Sequence, residues 1–153
     1  KEYRRQRQMC IRDRDNTIHF WRRSTEQDSM MSGYPLKPSA LSFDETGSYL
    51  ATGGSEEVTV WSFKGNGPEG TSPLSLKLHK KPITTLAFAH RGMNLASGSR
   101  DGAVVLWDLK SENEESGLSE TSVSDSVSKL YWRPDDKALA GLDRQGGVTV
   151  WHV

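Results

Sequence analysis

A single cysteine, Cys10, stands in a chain of 153 residues. It leaves no internal disulfide and no zinc site with several thiolate ligands. No apolar run approaches the ~20 residues of a membrane-spanning helix. The N-terminal KEYRRQRQ carries no apolar core of a secretory signal. Net charge is missing too, since 20 Lys and Arg balance 20 Asp and Glu. That balance gives no ground for nucleic acid as a partner. His19, His79, His90 and His152 share no metal-ligand spacing with each other, with Cys10 or with a carboxylate pair. G-x-S-x-G, a phosphate-binding glycine loop and a dinucleotide fingerprint are all absent. No catalytic residue, cofactor, metal or small-molecule substrate is therefore expected, and no membrane partner. The expected location is cytoplasmic.

What the chain does have is a repeated hairpin, clearest in Asn94–Leu109, NLASGSRDGAVVLWDL. Leu95–Ser99 and Ala103–Leu109 read as strands joined by Arg100-Asp101-Gly102, where the D-G pair tolerates positive φ at both residues. Related stretches are LATGGSEEVTVWSF at Leu50–Phe63 and LAGLDRQGGVTVWHV at Leu139–Val153, with DNTIHFWRR at Asp15–Arg23 as a half copy. Their tryptophans, Trp21, Trp61, Trp107 and Trp151, follow one another at 40, 46 and 44 residues. Each full unit opens on an apolar strand and a turn, as in SALSFDETG, TTLAFAHRG and SKLYWRPDD. In Ile83–Ala89 both alternating faces are apolar or small, the pattern of a strand sandwiched between layers.

A Trp-ended unit with a period of about 40–45 residues resembles the WD40 repeat, in which each repeat supplies one propeller blade. The resemblance covers Asp15–Val153, although only Trp107-Asp108 is a literal W-D pair. It implies an all-β fold: a partial β-propeller of about three four-stranded antiparallel blades and a remnant of a preceding one. In the family a turn His, a strand Ser or Thr, a hairpin Asp and the Trp form a buried hydrogen-bonded set. Carried over, the middle unit supplies His79, Ser97 (or Ser99), Asp101 and Trp107. The first unit departs, with Tyr34 near the His position and Thr52 at the Ser. The last has Gln145 in place of the Asp. Those two units are expected to rely on packing alone. The resemblance implies a non-catalytic scaffold that binds proteins through its loops. The alternative is a propeller appended to an upstream catalytic or signalling domain, such as an NTPase or kinase.

Three units and a remnant fall short of a ring of about 4–8 blades, so the sequence reads as the C-terminal part of a longer propeller protein. Met9–Asp13, MCIRD, does not resemble the strand a complete repeat places before Trp21; it resembles a translated sequencing adapter. Residues 1–14 are expected to be non-native or disordered, and residues 15–153 to form the propeller part. Lys110–Ser126 reads as a long acidic connection with a weak outer strand near Leu118–Val123. Turns entering the inner strands and the hairpin turns share one propeller face, which places Lys80, Lys81, Arg100 and Arg144 together as a candidate surface for an acidic protein segment.

Overall fold

The computed structural model describes residues 8–12, 16–22, 27–110 and 117–153, and within these there is no helix. Four antiparallel sheets follow one another along the chain. The first holds β1 (Gln8–Arg12), β2 (Ile18–Arg22) and β3 (Gln27–Met31). The second runs outward from β4 (Ala40–Phe43) through β5 (Tyr49–Gly53) and β6 (Val58–Ser62) to β7 (Leu74–Leu76). The third repeats it with β8 (Ile83–Phe88), β9 (Asn94–Ser99), β10 (Ala103–Asp108) and β11 (Gly117–Ser122). The fourth has three strands, β12 (Val127–Trp132), β13 (Ala138–Asp143) and β14 (Val148–His152).

The strands form where Val, Ile, Thr, Leu and Trp alternate, and the sheets stack because those residues are apolar on both sides. On β10, Val104 joins the core shared with the fourth sheet, while Val105 and Trp107 join the core shared with the second. On β8, Leu86 and Phe88 face the second sheet and Ala87 the fourth. A third core, Ile18, Phe20, Met31, Leu50 and Phe63, joins the first two sheets. The sheets therefore stack as consecutive blades. Their inner strands lie side by side, and an open groove of about 370 Å³ runs along Leu41, Thr84, Leu86, Ser128 and Leu130.

Glycine sets the spacing between blades. A Cβ on Gly98 of β9 would stand 2.6 Å from Cγ1 of Val127 on the next blade's inner strand. Gly53, the matching residue of β5, meets Ile83 Cγ2 at 2.7 Å in the same way. A β-branched residue of each following blade thus fills the space a side chain would need.

The structure places three stretches that the sequence singled out. Gln8–Arg12, assigned to a segment outside the fold, pairs antiparallel with β2, Met9 opposite Trp21 and Arg12 opposite Ile18. Backbone pairing needs no apolar pattern, so the polar sequence gave no warning; residues 1–7, 13 and 14 lie outside the described residues. The β9–β10 turn takes positive φ at Gly102 only, at 87°. Gly102 N–H donates to Ser99 O at 3.2 Å, closing a turn that ends on a left-handed glycine and leaves Asp101 on ordinary φ. The outer strand of the acidic connection is Gly117–Ser122, with 111–116 outside the described residues.

Two left-handed positions among the described residues are held without glycine, Asn16 and Asp136. Asp136 has φ 58°, where the matching turn of the second sheet has Gly47. Its carboxylate accepts bonds from His90 N, His90 Nδ1 and Arg91 N at 2.9, 2.9 and 2.8 Å, which ties the last blade to the third. Burial opposes ionisation there, but those bonds outweigh it and hold the carboxyl below its ordinary range.

Candidate functional site

Ser97 on β9 is the hub of the third blade. It is fully buried, and Trp107 Nε1 on β10 donates to its Oγ at 2.8 Å. His79, in the turn before β8, brings Nε2 within 2.6 Å of the same oxygen. Register explains the meeting: Ser97 opposes Val105 and Leu95 opposes Trp107, so both side chains emerge on one face.

Asp101 does not join this set. Its carboxylate accepts from the Ser99 hydroxyl and from Ala103 N, at 3.4 Å for the latter. His79 Nδ1 is consequently buried without a hydrogen-bond partner among the described residues. The Ser99 bond outweighs partial burial and holds the Asp101 carboxyl below its usual value. Burial depresses the His79 pKa and keeps the ring neutral; the charges of Asp101 and Glu120 pull the other way. Of the four residues expected together, three meet and the fourth is captured by a nearer hydroxyl.

The first full blade does not rest on packing alone. Tyr34 Oη accepts from Trp61 Nε1 at 2.7 Å and from Thr52 Oγ1 at 3.1 Å. A phenol both donates and accepts, so it can stand where the third blade has an imidazole. In the last blade Gly141 takes the Ser97 position and the Trp151 ring lies over it, 2.7 Å from where a Cβ would be. Asp143, aligned with Ser99, accepts from Gln145 N and Gly147 N at 2.9 and 2.7 Å and closes the hairpin turn. The sequence placed Tyr34 near the His position but not its bonds, and it did not single out Asp143, whose readable signal was a turn-forming Asp two residues before the hairpin's Gln145. Trp21, anchor of the first sheet, is partly exposed and stacks on His19 with ring centroids 6.1 Å apart.

The candidate partner surface lies at one end of the strands. Arg100 N donates to Pro82 O at 2.9 Å, which sets the Lys80-Lys81 loop beside the β9–β10 turn. Arg144 sits in the equivalent β13–β14 turn, its N bonded to Ser126 O at 2.9 Å. Lys37 adjoins the β5–β6 turn, its carbonyl against Gly54. All five cations are exposed, and none pairs with a side chain among the described residues. The acids there are mostly engaged: Glu57 with Ser75, Asp101 with Ser99, and Asp125 with Gln145 at 3.1 Å. Among these acids Glu56 is exposed and makes no side-chain bond to a described residue. At the opposite end Arg133 pairs with Asp135 at 2.6 Å and His90 with Asp136, while Arg91, Lys110 and Lys137 are exposed with no salt bridge among the described residues.

Residues 70–108, the third blade's hairpins with the strand before them, match the family model "WD domain, G-beta repeat". The chain therefore carries a WD40 repeat, and its likeness to the WD40 β-propeller family is partial over its length. It is 30% identical over 118 residues to the Periodic tryptophan protein 2 homolog of Schizosaccharomyces pombe, covering 75% of this chain and 13% of that protein. It is 25% identical over 147 residues to the Target of rapamycin complex subunit wat1 of the same yeast, covering 91% of this chain and 43% of that one. A chain of the solved structure "Crystal Structure of Mitotic Checkpoint Complex" superposes with TM-score 0.80 at 20% identity, over 95% of this chain and 45% of that chain. This WD40 chain thus spans less than half the length of each, and the last likeness speaks for the propeller fold alone.

Proposed function

We propose that this WD40 chain is part of a non-catalytic scaffold that holds a protein partner at the end of the strands carrying Lys37, Lys80, Lys81, Arg100 and Arg144. The observation that carries the reading is the gathering of cations on adjacent turns of neighbouring blades. Five exposed cations at that end have no partner among the described residues, while three of the acids beside them are already bonded within the chain. Unpaired cations on rigid turns attract a partner of opposite charge and fix its register, at little cost in ordering. An acidic protein segment fits that chemistry. Relatives named as subunits of an assembly, such as wat1 of the Target of rapamycin complex, support a role inside a protein complex.

The test is charge reversal in the full-length protein. Lys80, Lys81, Arg100 and Arg144 are each changed to Glu together, and the co-purifying proteins are compared with wild type. Loss of one or more acidic partners, with an unchanged thermal melt, is the expected result. An identical partner set in a folded variant overturns the reading.

A further inference from the structure

Counting back from Asp125, a serine recurs at every third position: Ser122, Ser119 and Ser116, in SGLSETSVSD. We propose that Ser122 and then Ser119 are acceptor sites for an acid-directed serine kinase, and that the phosphates close the cationic end to its partner. Such a kinase selects a serine with negative charge three residues on. Asp125 supplies it for Ser122, and the phosphate on Ser122 then supplies it for Ser119. Each phosphate carries about −1.5 to −2 charges at neutral pH, enough to replace a carboxylate in that role. Ser116 continues the series in sequence and lies outside the described residues.

The structure makes both hydroxyls available. Ser119 and Ser122 are exposed, and they lie on β11, the outer edge strand of its blade. An edge strand is already extended and leaves one backbone edge unpaired within its own sheet, the form in which a kinase cleft takes a substrate. In the transfer, the Ser122 oxygen attacks the γ-phosphorus of ATP and the bond to the β-phosphate oxygen breaks. ADP leaves, and the hydroxyl proton passes to the kinase's own base.

The location gives the phosphate its effect. Ser122 opposes Ala103 in the β10–β11 register, and Val123 N donates to Gly102 O at 2.9 Å. Ser122 therefore ends its strand beside the Arg100-Asp101-Gly102 turn. Four residues on, Ser126 O holds Arg144 N at 2.9 Å. The segment 122–126 thus runs between the two turns that carry the free arginines. A dianion there offsets both positive charges and repels an acidic segment. This consequence rests on the partner surface proposed above; the acceptor assignment does not.

The experiment treats the full-length protein with a purified acid-directed serine kinase and ATP, and maps phosphates by mass spectrometry over time. Phosphate on Ser122 first and Ser119 second is expected. Ser122→Ala should lose both, Ser122→Thr should keep both, and Asp125→Asn should slow the first on the order of tenfold. An unmodified Ser122, or Ser119 modified as fast in Ser122→Ala as in wild type, overturns the assignment. Binding of a seven-residue polyglutamate peptide to the phosphorylated protein should be weaker by roughly tenfold. Equal affinity of the two forms overturns the closure. If the unphosphorylated protein does not bind the peptide at all, the partner surface is wrong and the acceptor assignment still stands on the mapped sites.

Discussion

Replacing Ser97 by Ala should be the most damaging single-oxygen deletion in the chain. The hydroxyl accepts from Trp107 Nε1 at 2.8 Å and bonds His79 Nε2 at 2.6 Å. Trp107 and Ser97 are both 0% exposed, so water cannot take over. Leaving a buried donor unmet costs about 1–3 kcal/mol, and loss of the His79 bond adds about 0.5–1.5 kcal/mol. The expected total is about 1.5–4.5 kcal/mol. For a protein of this size each kcal/mol lowers Tm by about 2–4 °C, so the melt should fall on the order of 10 °C. Thr52→Ala is the matched control. There Tyr34 Oη still accepts from Trp61 Nε1 at 2.7 Å, and Trp61 is itself partly exposed. Its cost should be about 1 kcal/mol or less. Urea titrations of both variants, at constant m-value, give the comparison. Equal losses, or a milder Ser97→Ala, would refute the assignment of Ser97 as the hub.

Other outcomes follow from the same contacts. Gly98→Ala must push Val127, whose Cγ1 stands 2.6 Å from the added carbon, so about 1–3 kcal/mol should be lost in a thermal melt. Because burial lowers the His79 pKa from 6.5, the unfolded chain binds this proton first as the pH falls. Stability should therefore drop below about pH 6.5 and level off once the folded ring also protonates; urea midpoints of His79→Gln should lack that slope. Val148 and Val150 are 64% and 58% exposed, although their counterparts Val58 and Val60 are buried against the following blade. The 153-residue chain alone should self-associate at micromolar concentration, and Val148→Lys with Val150→Lys should reduce the sedimentation coefficient towards that of a monomer.

The blades were legible in the sequence because their cause is periodic. Tryptophans at 40, 46 and 44 residues mark one strand per unit, and the strands around them follow from alternation. The side-chain sets were less legible because they are decided by which acceptor is nearest. Asp101 has Ser99 two residues away and bonds it rather than the His79 ring, a competition that residue type does not reveal. Tyr34 reaches across 27 residues to Trp61, and only the folded chain brings them together. The inter-blade clasp at Asp136 was hidden for a related reason. An Asp at a left-handed turn position reads as local turn chemistry until His90 and Arg91 are seen beside it.

The proposed acidic partner docks on the strand end bearing Lys80 and Lys81. Zero-length carbodiimide coupling tests that docking most directly, because that reagent joins a lysine amine only to a carboxylate in contact with it. Applied to the full-length protein purified with its partners, and read by mass spectrometry, it should couple Lys80 or Lys81 to an Asp or Glu of a partner. Coupling confined to Lys110 and Lys137, near the opposite end of the strands, would contradict the account.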